Sequence, residues 1–475
     1  MPVHLPAAAR ITAAALFAVL VAATAHAQPA AAELYQTHCA ACHGAQMQGT
    51  AQYSALRKRD WVYGGSREEI LRTVMYGIAG KEMVPWRTRL PKEQLEALVD
   101  YILTSRDSIP PAPTGKPDTL QLKDYTVRIE RLVEAGFRSA PWGIEFVDNR
   151  RALITELRGG LRWLVDGKLD PEPIIGVPET IQYGTGGMMD LALDPDYALN
   201  GWVYIGYVHP LGDSGRTDQR PAMTRIIRGR VVDYRWVQQE LLFSVPDELY
   251  FVNRGRWGCR LLFDEAGYLY FTIGDIRENP DVQRLNKPAG KTYRIHRDGS
   301  IPKENPYAGR ADAIQAIYTV GNRNVQGIDQ HPVTGQIWGT EHGPLGGDEL
   351  NVLKLGHNYG WPVISHGIDY DGKPITDLTE KEGMDQPVKY WKPSPALSAL
   401  EFYTGDLFPK WKHHAFVGAL VFQEIKRLKL TGETVEEEEV FLKGYGRVRD
   451  IKTGPEGAIY VLLNEPDQVV RLTPR

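Results

Sequence analysis

The sequence predicts two domains of different fold class, a small all-α domain followed by an all-β domain with the repeat pattern of a six-bladed β-propeller. Before residue 108, apolar residues recur at the spacing of helices. After residue 119, short alternating strands recur in six similar segments. A proline-dense stretch over 108–119 separates the two patterns and favours an extended linker. We therefore place the first domain at 28–107 and the second at 120–475.

Composition and the first residues limit the expected partners and location. The 55 basic and 59 acidic side chains give a formal net charge of −4 without a long basic block, so nucleic acid is not an expected partner. Residues 1–27, with an apolar run after Arg10 and small residues at Ala25 and Ala27, are typical of a signal peptide. No stretch reaches the ~20 apolar residues that span a bilayer. We predict export to the periplasm, with no membrane span in the mature chain.

The three cysteines are too few for a disulfide framework, and two of them form a haem-attachment motif. In Cys39-Ala40-Ala41-Cys42-His43 the two thiols would bond the haem vinyl groups, and His43 would coordinate the iron. A thioredoxin-like redox pair or half of a zinc site is the alternative, but no second Cys pair or His-x-His cluster completes a zinc site. The motif therefore predicts haem c, held covalently by Cys39 and Cys42.

Met83 is the expected second axial ligand of this haem. It lies in a loop bounded by Gly and Pro that could present its sulfur, whereas Met47 follows the motif too closely and Met75 lies on an apolar stripe. A second stripe follows Pro91 at i, i+3, i+4 and i+7. Its members are Leu95, Leu98, Val99 and Ile102. The whole module resembles a small class I cytochrome c.

Each of the six segments in the second domain contains a short apolar strand, a turn and a strand rich in Tyr, Ile, Val and Trp. The first strands lie at 143–146, 190–193, 260–263, 327–330, 399–402 and 450–453, and their followers at 152–155, 202–205, 268–271, 336–339, 414–417 and 458–461. A β-sandwich would not repeat this pattern six times, so we predict six propeller blades. A glutamate run at 436–439 is interpreted as a solvated turn without function.

If each first strand is the innermost of its blade, the residues that precede the strands converge at one mouth of the central channel. These residues are Trp142, Gly186, Gly187, Arg256, Trp257, Gly258, Arg323, Asn324, Leu397, Ser398, Arg447, Val448 and Arg449. Buried unpaired guanidinium is costly, so the four arginines indicate a multiply anionic ligand. The alternative is that they pair with acids such as Glu341, Asp348 and Glu349.

At these residues the chain resembles the soluble glucose/sorbosone dehydrogenase family, propeller enzymes that use pyrroloquinoline quinone (PQQ) and calcium. The resemblance is most specific at Gly321-Asn322-Arg323-Asn324-Val325-Gln326-Gly327, Glu341-His342-Gly343-Pro344-Leu345-Gly346-Gly347-Asp348-Glu349, Asn358-Tyr359-Gly360-Trp361-Pro362 and Gly446-Arg447-Val448-Arg449-Asp450. It implies that Arg323, Asn324, Arg447 and Arg449 hold the carboxylates and quinone oxygens of PQQ, which suits forked donors.

The resemblance also implies two calcium positions. The carbonyl oxygens of Gly343 and Pro344 would bind a calcium that polarises the quinone, and oxygen ligands are those that calcium prefers. A second, structural calcium in some relatives uses positions that match Glu349 and Tyr359.

Three positions depart from the family pattern. Arg256 replaces the histidine that serves as general base, and Arg cannot accept a proton at physiological pH. Thr185 stands where a glutamine is expected, and Val421 where a cofactor-binding lysine is expected. Oxidation of a hydroxyl group needs a proton acceptor, for which we select His342 and Tyr370; a structural role for His342 is the alternative.

The sequence therefore predicts a quinohaemoprotein that oxidises a sugar or related alcohol in the propeller. Its tethered haem would take the electrons and pass them to a respiratory or other periplasmic acceptor. Two other functions stay open because fold does not determine function. One is a propeller without PQQ that serves the cytochrome as a docking module, and the other is a calcium-dependent lactone hydrolase.

Overall fold

The computed structural model describes residues 31–44, 47, 56, 67–77, 83, 85–108, 116–182, 184–212, 220–252, 255–276, 279–370 and 372–475. The chain divides into two compact units, Met1–Lys116 and Pro117–Arg475. The predicted signal peptide and most of the predicted linker lie outside the described residues, and the predicted domain bounds stay predictions. Among the described residues, no helix combines the length and apolar character needed to cross a membrane.

The first unit is helical in its described part. Residues 31–38 form helix α1, and α2 (Ala40–His43), α3 (Arg67–Tyr76), a 3-10 turn (Trp86–Thr88) and α4 (Lys92–Ser108) follow. Helix α4 begins directly after Pro91, whose ring cannot continue a helix on its N-terminal side. The predicted stripe Leu95, Leu98, Val99 and Ile102 is buried. It packs α4 against α1, α2 and α3 through two apolar clusters.

The second unit is a six-bladed propeller, which confirms the predicted fold class. Five of the blades are antiparallel four-stranded sheets. Blade 1 contains β3 (Pro141–Phe146), β4 (Arg151–Glu156), β5 (Gly160–Val165) and β6 (Lys168–Pro173). Blade 2 contains β7 (Met188–Leu193), β8 (Trp202–Pro210), β9 (Ala222–Val232) and β10 (Arg235–Phe243). Blade 3 contains β11 (Leu261–Phe263), β12 (Leu269–Ile273), β13 (Lys291–Ile295) and β14 (Ile317–Val320).

Blade 4 contains β15 (Val325–Gln330), β16 (Ile337–Glu341), β17 (Asp348–Leu353) and β18 (Lys389–Trp391). Blade 5 contains β19 (Leu397–Phe402), β20 (Ala415–Ala419), β21 (Glu424–Thr431) and β22 (Thr434–Phe441). Short helical pieces lie between strands at α5 (Tyr197–Asn200) and at the 3-10 turns Asp247–Leu249, Asn279–Gln283 and Pro409–Trp411. In every blade the predicted first strand is the innermost one, and its predicted follower is the second.

Blade 6 closes the ring by combining both ends of the unit. It contains β23 (Arg447–Thr453), β24 (Ile459–Asn464) and β25 (Gln468–Pro474), to which β2 (Thr126–Val133) and then β1 (Thr119–Gln121) are added. Strands β2 and β25 pair antiparallel, with Ile129 opposite Leu472, and both side chains are buried. The ring is therefore held shut by backbone hydrogen bonds and apolar packing between distant parts of the sequence.

Carboxylates on the innermost strands join neighbouring blades. Each accepts a hydrogen bond from a backbone N–H of the innermost strand of the next blade. The carboxylate thus takes the place of the backbone carbonyl that would accept this bond inside a sheet. The pairs are Asp190 with Leu261 N at 2.9 Å, Asp329 with Phe402 N at 2.6 Å, Glu401 with Thr453 N at 2.8 Å and Asp450 with Ile144 N at 3.0 Å. These bonds orient the inner strands around one axis.

The glutamate run at 436–439 lies within the outer strand β22, so its interpretation as a turn was wrong. The four side chains pair with basic residues, most of them on the neighbouring strand β21. The pairs are Glu436 with Lys429, Glu437 with Arg427 and Lys123, Glu438 with Lys426 and Lys389, and Glu439 with Arg427. Charge on an outermost strand opposes edge-to-edge association, which explains the run.

We expect Leu472→Ala to destabilise the propeller by about 2–5 kcal/mol, because it leaves a cavity in the closing strand pair. Urea unfolding followed by circular dichroism would measure the loss. Leu199→Ala is the matched control, because Leu199 is 89% exposed and its truncation should change the midpoint little. Equal midpoints for the two variants would contradict the role of β25 in ring closure.

Candidate active site

The haem motif lies against an apolar wall in the first unit. Cys39 is buried with Tyr35, Met47 and the stripe residues of α4. The Tyr35 hydroxyl donates to Gly44 O at 2.8 Å, which fixes the chain directly after the motif. His43 ends helix α2, and its N–H donates to Cys39 O at 2.8 Å. The Cys42 side chain lies outside the described residues.

Met83 lies in the second apolar cluster of this unit. It is half-buried against the cluster formed by Ile70, Val74, Leu95 and Val99. Helix α4 contributes to this cluster and to the Cys39 cluster, so both predicted haem-binding segments are connected to the same helix through apolar packing. Apolar side chains around a thioether and a motif histidine fit a c-type haem. The coordination of iron by His43 and Met83 stays a prediction.

In the second unit, the residues before the innermost strands come together at one end of the channel. The Trp142 ring lies 4.3 Å from the Arg260 guanidinium carbon and 5.4 Å from that of Arg449. Asn324 Oδ1 accepts the N–H of Gly258 at 3.2 Å. Segments from blades 1, 3, 4 and 6 are thus in mutual contact, and they form the predicted mouth.

Arg323 organises the floor of this mouth. It is 3% exposed, and its Nη1 donates to His342 O and Gly343 O, both at 2.7 Å. Its Nη2 approaches the Tyr370 hydroxyl at 3.4 Å. Its Nε has no hydrogen-bond partner among the described residues, and neither has Trp142 Nε1. A buried donor without an acceptor is costly, so these atoms indicate a place for an acceptor-rich ligand.

Arg449 adds a second guanidinium for which the described residues supply no ion-pair partner within 4.0 Å. Its Nη1 donates to Gln326 Oε1 at 3.1 Å, and its Nε to Asn464 Oδ1 at 3.3 Å. Burial and the nearby charge of Arg447 and Arg260 lower the pKa of Arg449 to about 9. Within the described part of the chain, no carboxylate lies within 4.0 Å of the side-chain nitrogens of Arg449 or Arg323. The mouth therefore favours an anion.

Arg256 has a different environment from the other mouth arginines. Its Nε donates to Asp275 Oδ1 at 2.8 Å, and Trp361 Nε1 donates to Asp275 Oδ2 at 3.0 Å. Asp275 N in turn donates to Arg323 O at 2.7 Å. Ion pairing, the alternative considered for all four arginines, is therefore found at Arg256, with a partner that the sequence analysis did not name. The signal available was an acid two residues after the end of strand β12.

The loop that carries His342 is tightly folded. A Cβ at Gly343 would lie 2.1 Å from Gly346 O, so only glycine fits there. Asp348 holds the loop, because it accepts from Gly343 N at 2.8 Å and Leu397 N at 2.8 Å. Burial and then the charges of Arg323 and Arg449 lower the pKa of His342 to about 3, so its ring is neutral. The carbonyl of Gly343 lies at the mouth, where it accepts from Arg323.

A second group of oxygen atoms lies behind this loop. Asn351 Nδ2 donates to Glu341 Oε1 at 3.0 Å and to Glu349 Oε2 at 3.1 Å, whereas Asn351 Oδ1 is buried without a partner among the described residues. Burial and the charge of Glu341 raise the pKa of Glu349. Two carboxylates and an orphaned amide oxygen fit a calcium ion. The Tyr359 hydroxyl, however, donates to Val352 O at 2.5 Å, so its pairing with Glu349 stays a prediction.

Side-chain clusters alone do not define a metal site here. Among the described residues, no three His, Cys, Asp or Glu side chains are arranged to hold a metal ion. A calcium at the mouth would therefore depend on backbone oxygens such as those of Gly343 and Pro344. Of the departing positions, Thr185 donates to Gly255 O at 3.1 Å and Val421 N to Pro395 O at 2.9 Å.

The sequence also matches known families. The model described as Glucose / Sorbosone dehydrogenase matches residues 138–471. The chain belongs to this family. The model described as Cytochrome C oxidase, cbb3-type, subunit III matches residues 26–102. A glucose/sorbosone dehydrogenase propeller and a cytochrome c domain are therefore combined in one chain, as predicted.

Relatives and solved structures agree with this family. Aldose sugar dehydrogenase YliI of Escherichia coli (strain K12) is 36% identical over 342 residues, which cover 70% of this chain and 90% of that protein. The soluble aldose sugar dehydrogenase from Escherichia coli in the apo-form is 35% identical, with a TM-score of 0.68 over 74% of this chain and 100% of that chain. The PQQ-bound aldose sugar dehydrogenase from Streptomyces coelicolor shares the fold at 22% identity, with a TM-score of 0.59 over 74% and 98% of the two chains.

We expect thiol labelling to count one reactive cysteine per unfolded chain and none in the folded chain. Cys259 is fully buried, and burial raises the pKa of its thiol far above the ordinary value, so a thiol reagent should not reach it before unfolding. Labelling would be measured at pH 8 with and without urea. Cys259→Ala should abolish the signal in urea. Additional thiols in the unfolded protein would contradict thioether bonds at Cys39 and Cys42.

Proposed function

We propose that this protein is a periplasmic quinohaemoprotein that oxidises an aldose sugar or related alcohol with PQQ and calcium in the propeller. The electrons would pass to haem c in the first unit. The observation that carries the proposal is the pair of guanidinium groups of buried Arg323 and half-buried Arg449, for which the described residues supply no carboxylate within 4.0 Å. Such a site suits a ligand with several carboxylates and a quinone.

Four residues of the mouth would hold the cofactor. Arg323, Arg447 and Arg449 supply forked donors for carboxylates and quinone oxygens, and Asn324 adds an amide. Trp142 presents its ring to Arg449 and its orphaned indole N–H to the same region. When bound, PQQ supplies a two-electron acceptor for the substrate C–H bond. Arg323 is buried and Arg447 and Arg449 are half-buried, so their electrostatic attraction for the anion is stronger than at a fully exposed surface.

Calcium would be held by backbone oxygens of the tight loop. Gly343 and Pro344 present carbonyls there, and Asp348 keeps the loop in place through Gly343 N at 2.8 Å. Arg323 Nη1 already donates to Gly343 O, so the guanidinium and the calcium ion would both use this carbonyl oxygen. Buried Glu341 and half-buried Glu349, which share the Asn351 amide, are the support for a second, structural calcium.

The general base is the part of the proposed chemistry for which this chain differs from the family pattern. Arg256 is fixed by Asp275 and cannot accept a proton, so it would orient substrate or stabilise negative charge. His342 is neutral, as a proton acceptor must be, and an anion on Arg323 and Arg449 would offset the positive charge around its ring. The Tyr370 hydroxyl lies beside Arg323 Nη2, and the residue is 37% exposed, so it can reach a substrate at the mouth. We propose His342 as the acceptor and Tyr370 as a substrate-positioning hydroxyl.

The covalent connection between the two units supports electron transfer within one molecule. Oxidation of an alcohol to a carbonyl releases two electrons and two protons, and a haem takes one electron at a time. A linker keeps the two redox sites at high effective concentration without a stable interface. The similarity to sugar dehydrogenases supports a sugar substrate. The replacement of the family's base at Arg256 favours the docking module as the second candidate function.

We expect full-length protein, loaded with PQQ and calcium, to show reduction of its haem bands when an aldose is added. Arg449→Gln should weaken PQQ binding by about tenfold to a hundredfold, since hydrogen bonds to charged groups contribute about 1.5–3 kcal/mol. Binding would be measured without substrate, by titration of the quinone.

Arg310→Gln is the matched control, because Arg310 pairs with Asp312 at the surface and should leave binding unchanged. Unchanged affinity in Arg449→Gln would show that the cofactor position is wrong. If the wild type neither binds PQQ nor reduces its haem with any aldose or alcohol, the docking module becomes the preferred function.

His342→Asn should lower turnover by about a hundredfold to ten-thousandfold at unchanged PQQ affinity if His342 accepts the substrate proton. Tyr370→Phe should instead raise KM and lower kcat by less, because it removes one positioning hydroxyl. Stopped-flow haem reduction over a range of sugar concentrations separates the two effects. A His342→Asn enzyme with wild-type turnover would leave His342 a structural role only.

A further inference from the structure

The propeller axis contains a cluster of charged side chains below the mouth. They surround a cavity of ≈ 40 Å³, a volume that can hold water. Five of the six innermost strands contribute a charged residue to the cavity, and in the sixth blade the charged residue lies directly before the strand. The charged members are Glu145 on β3, Asp190 on β7, Arg260 directly before β11, Asp329 on β15, Glu401 on β19, and Asp450 and Lys452 on β23. We call these seven residues the axial cluster.

The axial cluster has more acids than bases. Five carboxylates face two cations, so full ionisation would leave a net charge of −3 in the channel. Arg260 Nη1 lies 2.7 Å from Asp450 Oδ1 and 3.4 Å from Asp190 Oδ1, and Lys452 Nζ lies 2.5 Å from Glu145 Oε1. Asp190 and Asp450 are buried and Glu145, Asp329 and Glu401 are half-buried, and uncompensated charge held away from bulk water in this way is costly. The cluster must therefore retain protons or a cation.

Two carboxylates carry most of this imbalance. Asp329 accepts backbone N–H groups from Phe402 and Gln330, and Glu401 accepts from Thr453, but neither has an ion-pair partner within 4.0 Å in the described part of the chain. Burial raises the pKa of Asp329 to about 8 and that of Asp190 to about 7. Burial also raises the pKa of Glu145 and Glu401.

These carboxylates are also the inter-blade hydrogen-bond acceptors described above. A protonated carboxyl group keeps an oxygen that can accept the amide N–H of the next blade, and its added proton can bond a neighbouring carboxylate. An ionised cluster keeps the amide bonds but introduces repulsion among groups that surround one small cavity. Each amide bond is stronger to an ionised carboxylate, but the repulsion among five carboxylates around one cavity opposes that gain, so the blades are held least firmly when the cluster is fully charged.

We propose that the axial cluster is a proton-dependent clamp, which holds the six blades around the channel while its carboxylates share protons and loosens when mildly alkaline solution ionises them. The sign follows from linkage. Unfolded carboxylates lose their protons near pH 4, whereas in the folded cluster Asp190 retains its proton up to about pH 7 and Asp329 up to about pH 8. Unfolding therefore releases protons in this window, and the stability supplied by the cluster falls as the pH rises through it.

The clamp acts directly below the mouth. Arg260 Nη2 donates to Arg449 O at 2.6 Å, and Arg260 Nε donates to Gln326 O at 2.6 Å. The same Arg260 pairs with Asp450 and Asp190 of the cluster. Loosening of the axis is thus transmitted first to Arg449 and to the strand that follows Arg323 and Asn324. The clamp itself does not depend on the proposed oxidoreductase function.

Asp329→Asn tests the clamp in the full-length protein, because an amide oxygen can still accept the Phe402 N–H. Unfolding of the wild type between pH 5 and 7 should release about one proton more than unfolding of the variant. The folding equilibrium constant of the wild type should consequently fall about tenfold more per pH unit. Urea unfolding at a series of pH values measures the slope, and a pH indicator in weak buffer measures the protons.

Asp377→Asn is the matched control, because Asp377 is exposed and lies outside the cluster. Its slope should equal that of the wild type. If Asp329→Asn does not fold, Asp190→Asn gives the same test, since its amide oxygen can accept the Leu261 N–H. Wild-type slopes in the folded cluster variant would overturn the proposal. A calcium-dependent or potassium-dependent stability that disappears in the variant would also overturn it, because a cation would then balance the charge.

Discussion

The arrangement of the propeller depends on the contacts that the Arg260 side chain makes. Its guanidinium is almost fully buried and donates to acids from blades 2 and 6 and to backbone carbonyls from blades 4 and 6. The Trp142 ring of blade 1 covers it at 4.3 Å. One planar group thus holds five blades, its own included, in register where the positive mouth meets the acidic axis. A lysine could not make these bonds in the same geometry.

This arrangement separates two electrostatic regions along one channel. Above Arg260, Arg323 and Arg449 create a positive surface whose counter-ion the described residues do not supply. Below it, carboxylates outnumber cations. A protein can tolerate both charged regions only if bound species neutralise them. These would be an anionic ligand above Arg260 and protons below it. The chemistry of the site and the stability of the fold therefore both depend on this charge distribution along the channel.

The sequence was sufficient for the fold because the propeller signal is local and repeated. Strands such as β7 and β24 show alternating apolar and polar residues or short apolar runs between turn residues, and the same sequence pattern recurs in each blade. The haem motif and the mouth arginines were predictable for the same reason. The partners of Arg260 were not, since Asp450 and Asp190 lie 190 and 70 residues away from it. Such contacts depend on ring closure, which no local pattern encodes.

The strand pairing that closes the ring also determines how the chain must fold. Arg471 in β25 bonds to Glu130 in β2 at 2.8 Å across 341 residues of sequence. Contacts between residues so far apart in sequence form slowly, because the chain loses the entropy of loop closure before the contact contributes favourable free energy. Until they form, blade 6 presents unpaired strand edges that can capture another chain. The last seven-residue strand therefore sets the period during which a newly made molecule is most exposed to aggregation.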